Sequence, residues 1–248
     1  DVCSSDLTIR EDQTVSTVFT WGKAVDDIRV LSGIIFVLKR GMQWRDAPKE
    51  YGPHKTLYTR FVRWSVKGIF NKIFAALVEE QGPPDQVMID ATHLKAHRTA
   101  ASLLKKGSIP LIGRTKGGLN SKLHAVCNEK GKPIALLLTE GQISDYKGAA
   151  LLLPTLPQAN VFLADRGYDA DWIRDDLRAR HIMPCIPGKK NRKIPIEYDT
   201  DLYKKRHKVE NMFAKLKDWR RVAMRYDRCA HTFLAAITLA AIVAFYLN

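Results

Sequence analysis

The chain has 248 residues, with 40 Lys+Arg against 26 Asp+Glu for a formal charge of +14, and is 46% hydrophobic and 27% charged. This composition is globular rather than disordered, and the length suffices for one large domain or a medium domain with an appendage, so a small disulfide-stapled scaffold is excluded. A basic excess of this size points to a polyanion, with nucleic acid ahead of a membrane surface.

The charge is uneven. Residues 39–67 carry 8 Lys+Arg and 2 acids, residues 95–132 carry 9 and 1, and residues 189–228 carry 14 and 6, which leaves the rest of the chain net acidic. Interleaved Trp, Tyr and His suit phosphate contact, although three solvated faces would look the same in composition. Cys3, Cys127, Cys185 and Cys229 form no CxxC pair, which argues against a disulfide framework or zinc knuckle. His93 and His97 sit four apart without an accompanying HExxH, and read as polar loop residues at a strand end. No secretory leader is legible at the start, so a cytoplasmic, nucleoid-associated location is expected.

Taken in chain order, residues 1–24 come first. Asp1–Leu7 (DVCSSDL) matches the translation of a common sequencing-library adaptor, so this segment is expected to be foreign or truncated and is left out of fold reasoning. The alternative is the ordinary polar tail of an internal fragment. From residue 25 to about 80, apolar residues recur at helical spacing: Ile28, Leu31, Ile34, Ile35 and Leu38, then Leu57, Phe61, Trp64, Ile69, Ile73, Phe74 and Leu77. Gly41, Pro48, Gly52 and Pro53 interrupt them, and Lys55, Arg60, Arg63 and Lys67 load the helix that opens at His54. This predicts a small all-helical, helix-turn-helix-like module whose basic helix reads DNA, against the alternative of a packing helix with snorkelling cations.

Gly82, Pro83 and Pro84 separate this module from a second domain over residues 85–248. Gln86–Ile89, Lys122–Cys127, Pro133–Leu138 and Val161–Ala164 read as strands, the last two as apolar runs suited to the middle of a sheet. The turn NEKGK makes the second and third a hairpin. Residues 145–153 and 169–180 read as helices, Met183–Ile186 as a strand and Leu202–Lys217 as one long helix, giving a mixed α/β domain. The run Phe233–Leu247 is uncharged but short of the roughly 20 residues needed to span a bilayer, so it predicts a helix buried against the sheet.

Two predicted strands run directly into an aspartate, Asp90 and Asp165. Side by side, two such carboxylates repel, and a divalent cation relieves that while leaving positions for phosphate oxygens. Either one alone reads as a turn former or helix cap. On a helix from Leu202, the residues Tyr203, Arg206, Glu210 and Lys217 form one stripe beside an apolar face of Leu202, Val209, Phe213 and Leu216. An ordinary Arg206–Glu210 ion pair accounts for only part of it. Asp169, Asp171, Asp175 and Asp176 read as helix caps or surface decoration.

At these residues the sequence resembles the DDE transposases of bacterial insertion sequences, in particular the type-five group. Tyr203, Arg206, Glu210 and Lys217 match its Tyr-x2-Arg-x3-Glu-x6-Lys signature, and ADRGYD around Asp165 and MIDATHLKAHR around Asp90 resemble two further blocks. The resemblance covers most of residues 25–247. It implies a ribonuclease-H-like catalytic domain, a mixed sheet flanked by helices, carrying the triad Asp90, Asp165 and Glu210 as ligands of two Mg²⁺ ions (Mn²⁺ as substitute). It further implies Tyr203, Arg206 and Lys217 as DNA contacts, double-stranded transposon ends and target DNA as partners, no membrane, and at least a homodimer in the DNA complex. The implied reaction is cleavage at the element's ends followed by transfer of the 3′-hydroxyl into target DNA. A metal-dependent nuclease of the same fold, or a non-catalytic DNA-binding protein, remain the alternatives.

Overall fold

The computed structural model describes residues 26–102 and 110–247, so the expectations for residues 1–24, and the Lys105–Lys106 part of the second basic block, lie outside the described residues. The chain begins with three helices. In α1 (Asp27–Arg40) the Asp26 side chain accepts from the Ile28 N–H at 3.1 Å, and the helix stops at Gly41, whose φ of 76° is left-handed. A side chain at Gly41 would also meet Arg220, its Cβ falling 2.6 Å from the Arg220 Cβ. Residues 41–53, with two 3-10 turns, lead into α2 (His54–Val66), and Gly68 separates α2 from α3 (Ile69–Glu79).

The sheet follows. Strands β1 (Gln86–Ala96), β3 (Gly118–Asn128) and β4 (Pro133–Glu140) are antiparallel neighbours, while β5 (Val161–Leu163) and β6 (Met183–Cys185) extend it parallel to β1. The short β2 (Gly113–Thr115) also pairs with β3, and β7 (Met224–Arg225) runs parallel to the far end of β1. The order β4–β3–β1–β5–β6 and its direction changes form a ribonuclease-H-like mixed sheet. The predicted hairpin forms: Asn128 Oδ1 accepts from the N–H groups of Lys130 and Lys132, both at 3.0 Å, and Gly131 takes the left-handed φ of 76° that closes the turn.

Helices cover both faces. On one side Met88, Leu94, Leu123 and Leu163 pack with α1–α3, α7 (His207–Lys217) and α9 (Ala230–Phe245). On the other Val87, Ile89, Val126 and Phe162 pack with α4 (Asp145–Leu152) and α5 (Asp171–Ala179). The period-two alternation of β1 thus assigns Asp90, which shares parity with Met88, to the α7 side. The helical segment shares its core with α9, where Thr238 Oγ1 bonds Asn71 Oδ1 at 3.2 Å. Helix α9 is buried nearly all round, as expected for the terminal apolar run, and no described helix is long and apolar enough to cross a membrane.

Five expectations need correction. Asp90 lies inside β1 rather than at its end, because β3 goes on pairing with β1 out to Lys95; His93, read as a loop residue, therefore sits in the strand. The Pro133–Leu138 run is β4, which pairs with β3 alone among the described strands. Its continuous apolarity reflects cover on both faces, with Leu136 toward the α9 core and Ile134, Ala135 and Leu137 toward the α4 core. The predicted helix Leu202–Lys217 is two helices, α6 (Thr200–Lys204) and α7, joined by i to i−3 hydrogen bonds from the N–H groups of Lys205, Arg206, Lys208 and Val209. Asp169 is a buried ion-pair partner, not surface decoration. The two-residue β7, the one-turn α8 (Arg220–Ala223) and β2 are too short to leave a periodic trace.

One interior contact carries its own pH dependence. His124 on β3 is fully buried, with Nε2 2.9 Å from Thr139 Oγ1, and its ring lies against Gly148 of α4, where a Cβ would be 2.1 Å from Nδ1. Burial, assisted by Lys122, pushes its pKa down to about 4. An unfolded imidazole protonates near pH 6.5 while the folded one resists, so stability is complete above about 6.5 and falls by about 3 kcal/mol as the pH drops toward 4. Urea melts across this range should show that loss in the parent and a flatter acid limb in His124→Gln. An identical limb in both would refute the assignment. Gly148→Ala should cost about 1–3 kcal/mol by overpacking at any pH.

Candidate active site

The parallel register pairs Met88 with Leu163. Two residues further along each strand stand Asp90 and Asp165, which places the two carboxylates beside each other where β5 ends. Asp165 caps the 3-10 turn Arg166–Tyr168, its Oδ1 accepting from the Gly167 N–H at 2.7 Å. Asp90 Oδ1 accepts from the Ala91 N–H at 2.7 Å, and Oδ2 accepts from Arg206 Nη1 at 3.0 Å.

Arg206 stands at the junction of α6 and α7, and the same guanidinium donates through Nη2 to Glu210 Oε1. Its charge lies 5.8 Å from the Tyr203 ring centroid, and Tyr203 meets Tyr198 edge-on at 5.5 Å. Further along α7, Lys217 Nζ donates to Thr92 Oγ1 at 2.6 Å, on the face of β1 that carries Asp90. The 3-10 tightening therefore leaves the stripe intact, and packing of α7 on β1 brings it over the two aspartates. The i, i+4 pair of Arg206 with Glu210 exists, but Arg206 also binds Asp90 across 116 positions of sequence, which a helix-surface pair does not do.

The local electrostatics follow from burial and proximity. Burial raises the Asp90 carboxyl above its ordinary range and the Asp165 carboxylate adds to this, against the Ala91 N–H and Arg206. For Arg206 burial works downward, but Asp90, Tyr203, Glu210 and Asp165 prevail and its pKa rises. Burial lowers that of Lys217. Tyr168, unremarked in the sequence, is buried with its hydroxyl unpaired among the described residues, and its pKa is raised by burial and by Asp145, Asp90 and Asp165. A buried aromatic in the Asp165 turn has no periodic signal that could have singled it out.

The candidate donors here, Asp90, Asp165 and Glu210, are all carboxylates, a chemistry that suits a hard divalent ion such as Mg²⁺ or Mn²⁺. Among the described residues no three acidic, His or Cys side chains are gathered tightly enough to hold an ion as they stand. Arg206 supplies the positive charge between Asp90 and Glu210 instead, and the Glu210 side chain, 55% exposed, has room to turn toward the aspartates. The residue types therefore suit a divalent ion, and Arg206 occupies the space between Asp90 and Glu210.

The remaining candidates lie elsewhere. Lys55, Arg63 and Lys67 are exposed along α2, whereas Arg60 is drawn to Asp27 of α1 at 2.5 Å. His93 Nδ1 is 3.1 Å from Asn120 Oδ1, His97 stacks on Tyr226 with centroids 5.0 Å apart, and His124 is interior, so none joins the acids.

The sheet order, with Asp90 and Asp165 side by side where β5 ends, defines a ribonuclease-H-like fold. The model described as "Transposase DDE domain" matches residues 81–245, and a second, "Putative transposase of IS4/5 family", matches residues 13–74. The chain belongs to the DDE transposase family. It is 34% identical over 126 residues to the "Putative transposase for insertion sequence element IS6501" of Brucella ovis, covering 49% of this chain and 95% of that protein. It is 32% identical over 137 residues to the "Putative transposase for insertion sequence element IS402" of Burkholderia cepacia, covering 48% of this chain and 63% of that protein. Among solved structures, the piggyBac transposase synaptic complex with hairpin DNA shares the fold, with a TM-score of 0.56 at 12% identity over 96% of this chain and 68% of that one.

Proposed function

We propose that this transposase cuts DNA at the ends of its insertion sequence and joins the freed 3′-hydroxyl to target DNA, working in the cytoplasm as at least a dimer that pairs two ends. The reading rests chiefly on one observation: Asp90, Asp165 and the helix bearing Glu210 meet beside the end of β5, with Arg206 and Lys217 close by. Asp90, Asp165 and Glu210 would hold the divalent ions, two in this reading. Bound there, such ions supply Lewis-acid activation of the attacking oxygen and charge neutralisation on the leaving one.

The chain's own residues do the rest. Arg206 keeps Asp90 and Glu210 paired in the absence of substrate, and on DNA binding transfers its two N–H donors to non-bridging phosphate oxygens. Lys217, held by Thr92 beside Asp90, places a second cation on the same strand. The Tyr203 ring, braced by Tyr198, packs against the DNA backbone. The exposed Lys55 and Arg63 of α2 and Lys67 at its end, with Arg60 behind them, would contact the terminal repeat.

Labelled duplexes carrying the inverted repeats that flank the gene provide the test. Cleavage at the repeat boundary should appear with Mg²⁺ or Mn²⁺ and vanish with EDTA; cleavage indifferent to chelation would defeat the metal assignment.

A further inference from the structure

Between β6 and α6 the chain makes a basic excursion over residues 186–199 that the carboxylate centre does not use. It is tied down firmly. Asp169, whose side chain is fully buried, accepts from Arg174 Nη2 at 2.8 Å on one oxygen and from Arg192 Nε at 2.6 Å and the Lys189 N–H at 2.8 Å on the other. Arg192 reaches on to Asp171 at 2.6 Å, and Arg174 Nη2 also donates to the Ile186 carbonyl at 2.8 Å. These bonds outweigh burial and hold the Asp169 carboxyl down to about 2, so the tie persists across ordinary pH.

Both ends of the excursion contact the active-site elements. Asp169 lies four residues beyond Asp165, and at the other end Tyr198 packs on Tyr203, which in turn meets Arg206. The cations divide into two kinds. Arg192 is committed to Asp169 and Asp171, and the Lys189 ammonium sits 4.4 Å from the Tyr146 ring centroid. Lys190 and Lys193 are exposed, with no ion-pair partner among the described residues, and Ile194 beside them is 78% exposed. A buried ion pair is costly and contributes little net stability, but it does fix geometry. Here it fixes a segment that displays two unpaired ammonium groups next to a site for cutting DNA.

We infer that residues 186–199 form a rigid strap that binds the phosphate backbone of the DNA running past Asp165, with Lys190 and Lys193 as its phosphate contacts and Asp169 as its positioning residue. This rests on the transposase reading for the identity of the substrate as duplex DNA.

Binding of the full chain to a fluorescent duplex, in EDTA and over a range of salt concentrations, tests it. Lys190→Gln/Lys193→Gln should make the slope of log affinity against log salt shallower by about 2 and weaken binding on the order of tenfold or more near 0.1 M salt. Asp169→Asn should weaken binding too, and adding it to the lysine pair should give no further loss, since all three act through one contact. A merely structural Asp169 would add its loss independently. An unchanged slope in the lysine variant overturns the strap, even if Asp169→Asn does not fold; full additivity in the combined variant overturns the role of Asp169. A chain that binds with the expected slopes yet never cuts DNA would sink the transposase reading and leave the strap standing. A chain that cuts while the slope stays fixed would do the reverse.

Discussion

Asp90→Ala, Asp165→Ala and Glu210→Ala are each expected to lower cleavage of transposon-end DNA on the order of 10³-fold or more, equivalent to about 4 kcal/mol of transition-state stabilisation, while end binding in EDTA survives. The three sites differ in what else they hold, which separates chemistry from folding. Glu210 is half exposed and, among the described residues, bonded only through Arg206, so its loss should leave the thermal midpoint nearly unchanged. Asp165 also caps the turn at Gly167, and Asp165→Asn keeps an acceptor there while removing the charge. Asp90 is one of the two carboxylates that Arg206 grips, so Asp90→Ala frees part of that guanidinium and should leave DNA binding at least as strong as in the parent. Gel-shift and cleavage assays run side by side check this. Cleavage retained in any one variant would remove that residue from the centre.

The largest stability effect is expected from Arg225→Ala, at about 3–5 kcal/mol. Arg225 in β7 is fully buried. Its guanidinium donates to the Asp227 carbonyl at 2.8 Å, the Arg228 carbonyl at 2.9 Å and Ser121 Oγ at 2.6 Å, and lies 4.9 Å from the Phe233 ring centroid. It thereby joins the end of β1, strand β3 and the start of α9. Ser121 passes the connection on, donating to the Leu111 carbonyl at 2.6 Å and holding a residue whose φ of 47° is unfavourable for a branched side chain. Alanine would strand these carbonyls and open a cavity. Urea unfolding measures the effect; a loss below about 1 kcal/mol would show that the cluster is not a structural lock.

Much of this site was legible in sequence because its parts sit in strongly patterned segments. Val87–Ile89 and Phe162–Ala164 announce buried strands, and each leads straight to its aspartate; the stripe from Tyr203 to Lys217 stands on helical spacing. The register that pairs Met88 with Leu163 is a tertiary fact, and so is the identity of the Arg206 partner, because Asp90 and Arg206 meet only when α7 packs on β1. The break at Lys205 left no proline or glycine to mark it. Asp169 reads as a surface acid in sequence for a related reason: its neighbours Asp171, Asp175 and Asp176 are surface acids, and only the fold shows that one of the four is wholly enclosed. Arg60 looked equivalent to Arg63 until α1 brought Asp27 against it.

Strand transfer separates the proposed transposase from a nuclease of the same fold. The most direct measurement incubates a labelled transposon-end duplex, pre-cut to expose its 3′-hydroxyl, with supercoiled plasmid and Mg²⁺. A transposase should transfer label covalently into nicked or linear plasmid in the parent chain, with none transferred by Glu210→Ala or in EDTA. Plasmid nicking without any transferred label would identify a nuclease and contradict the proposal.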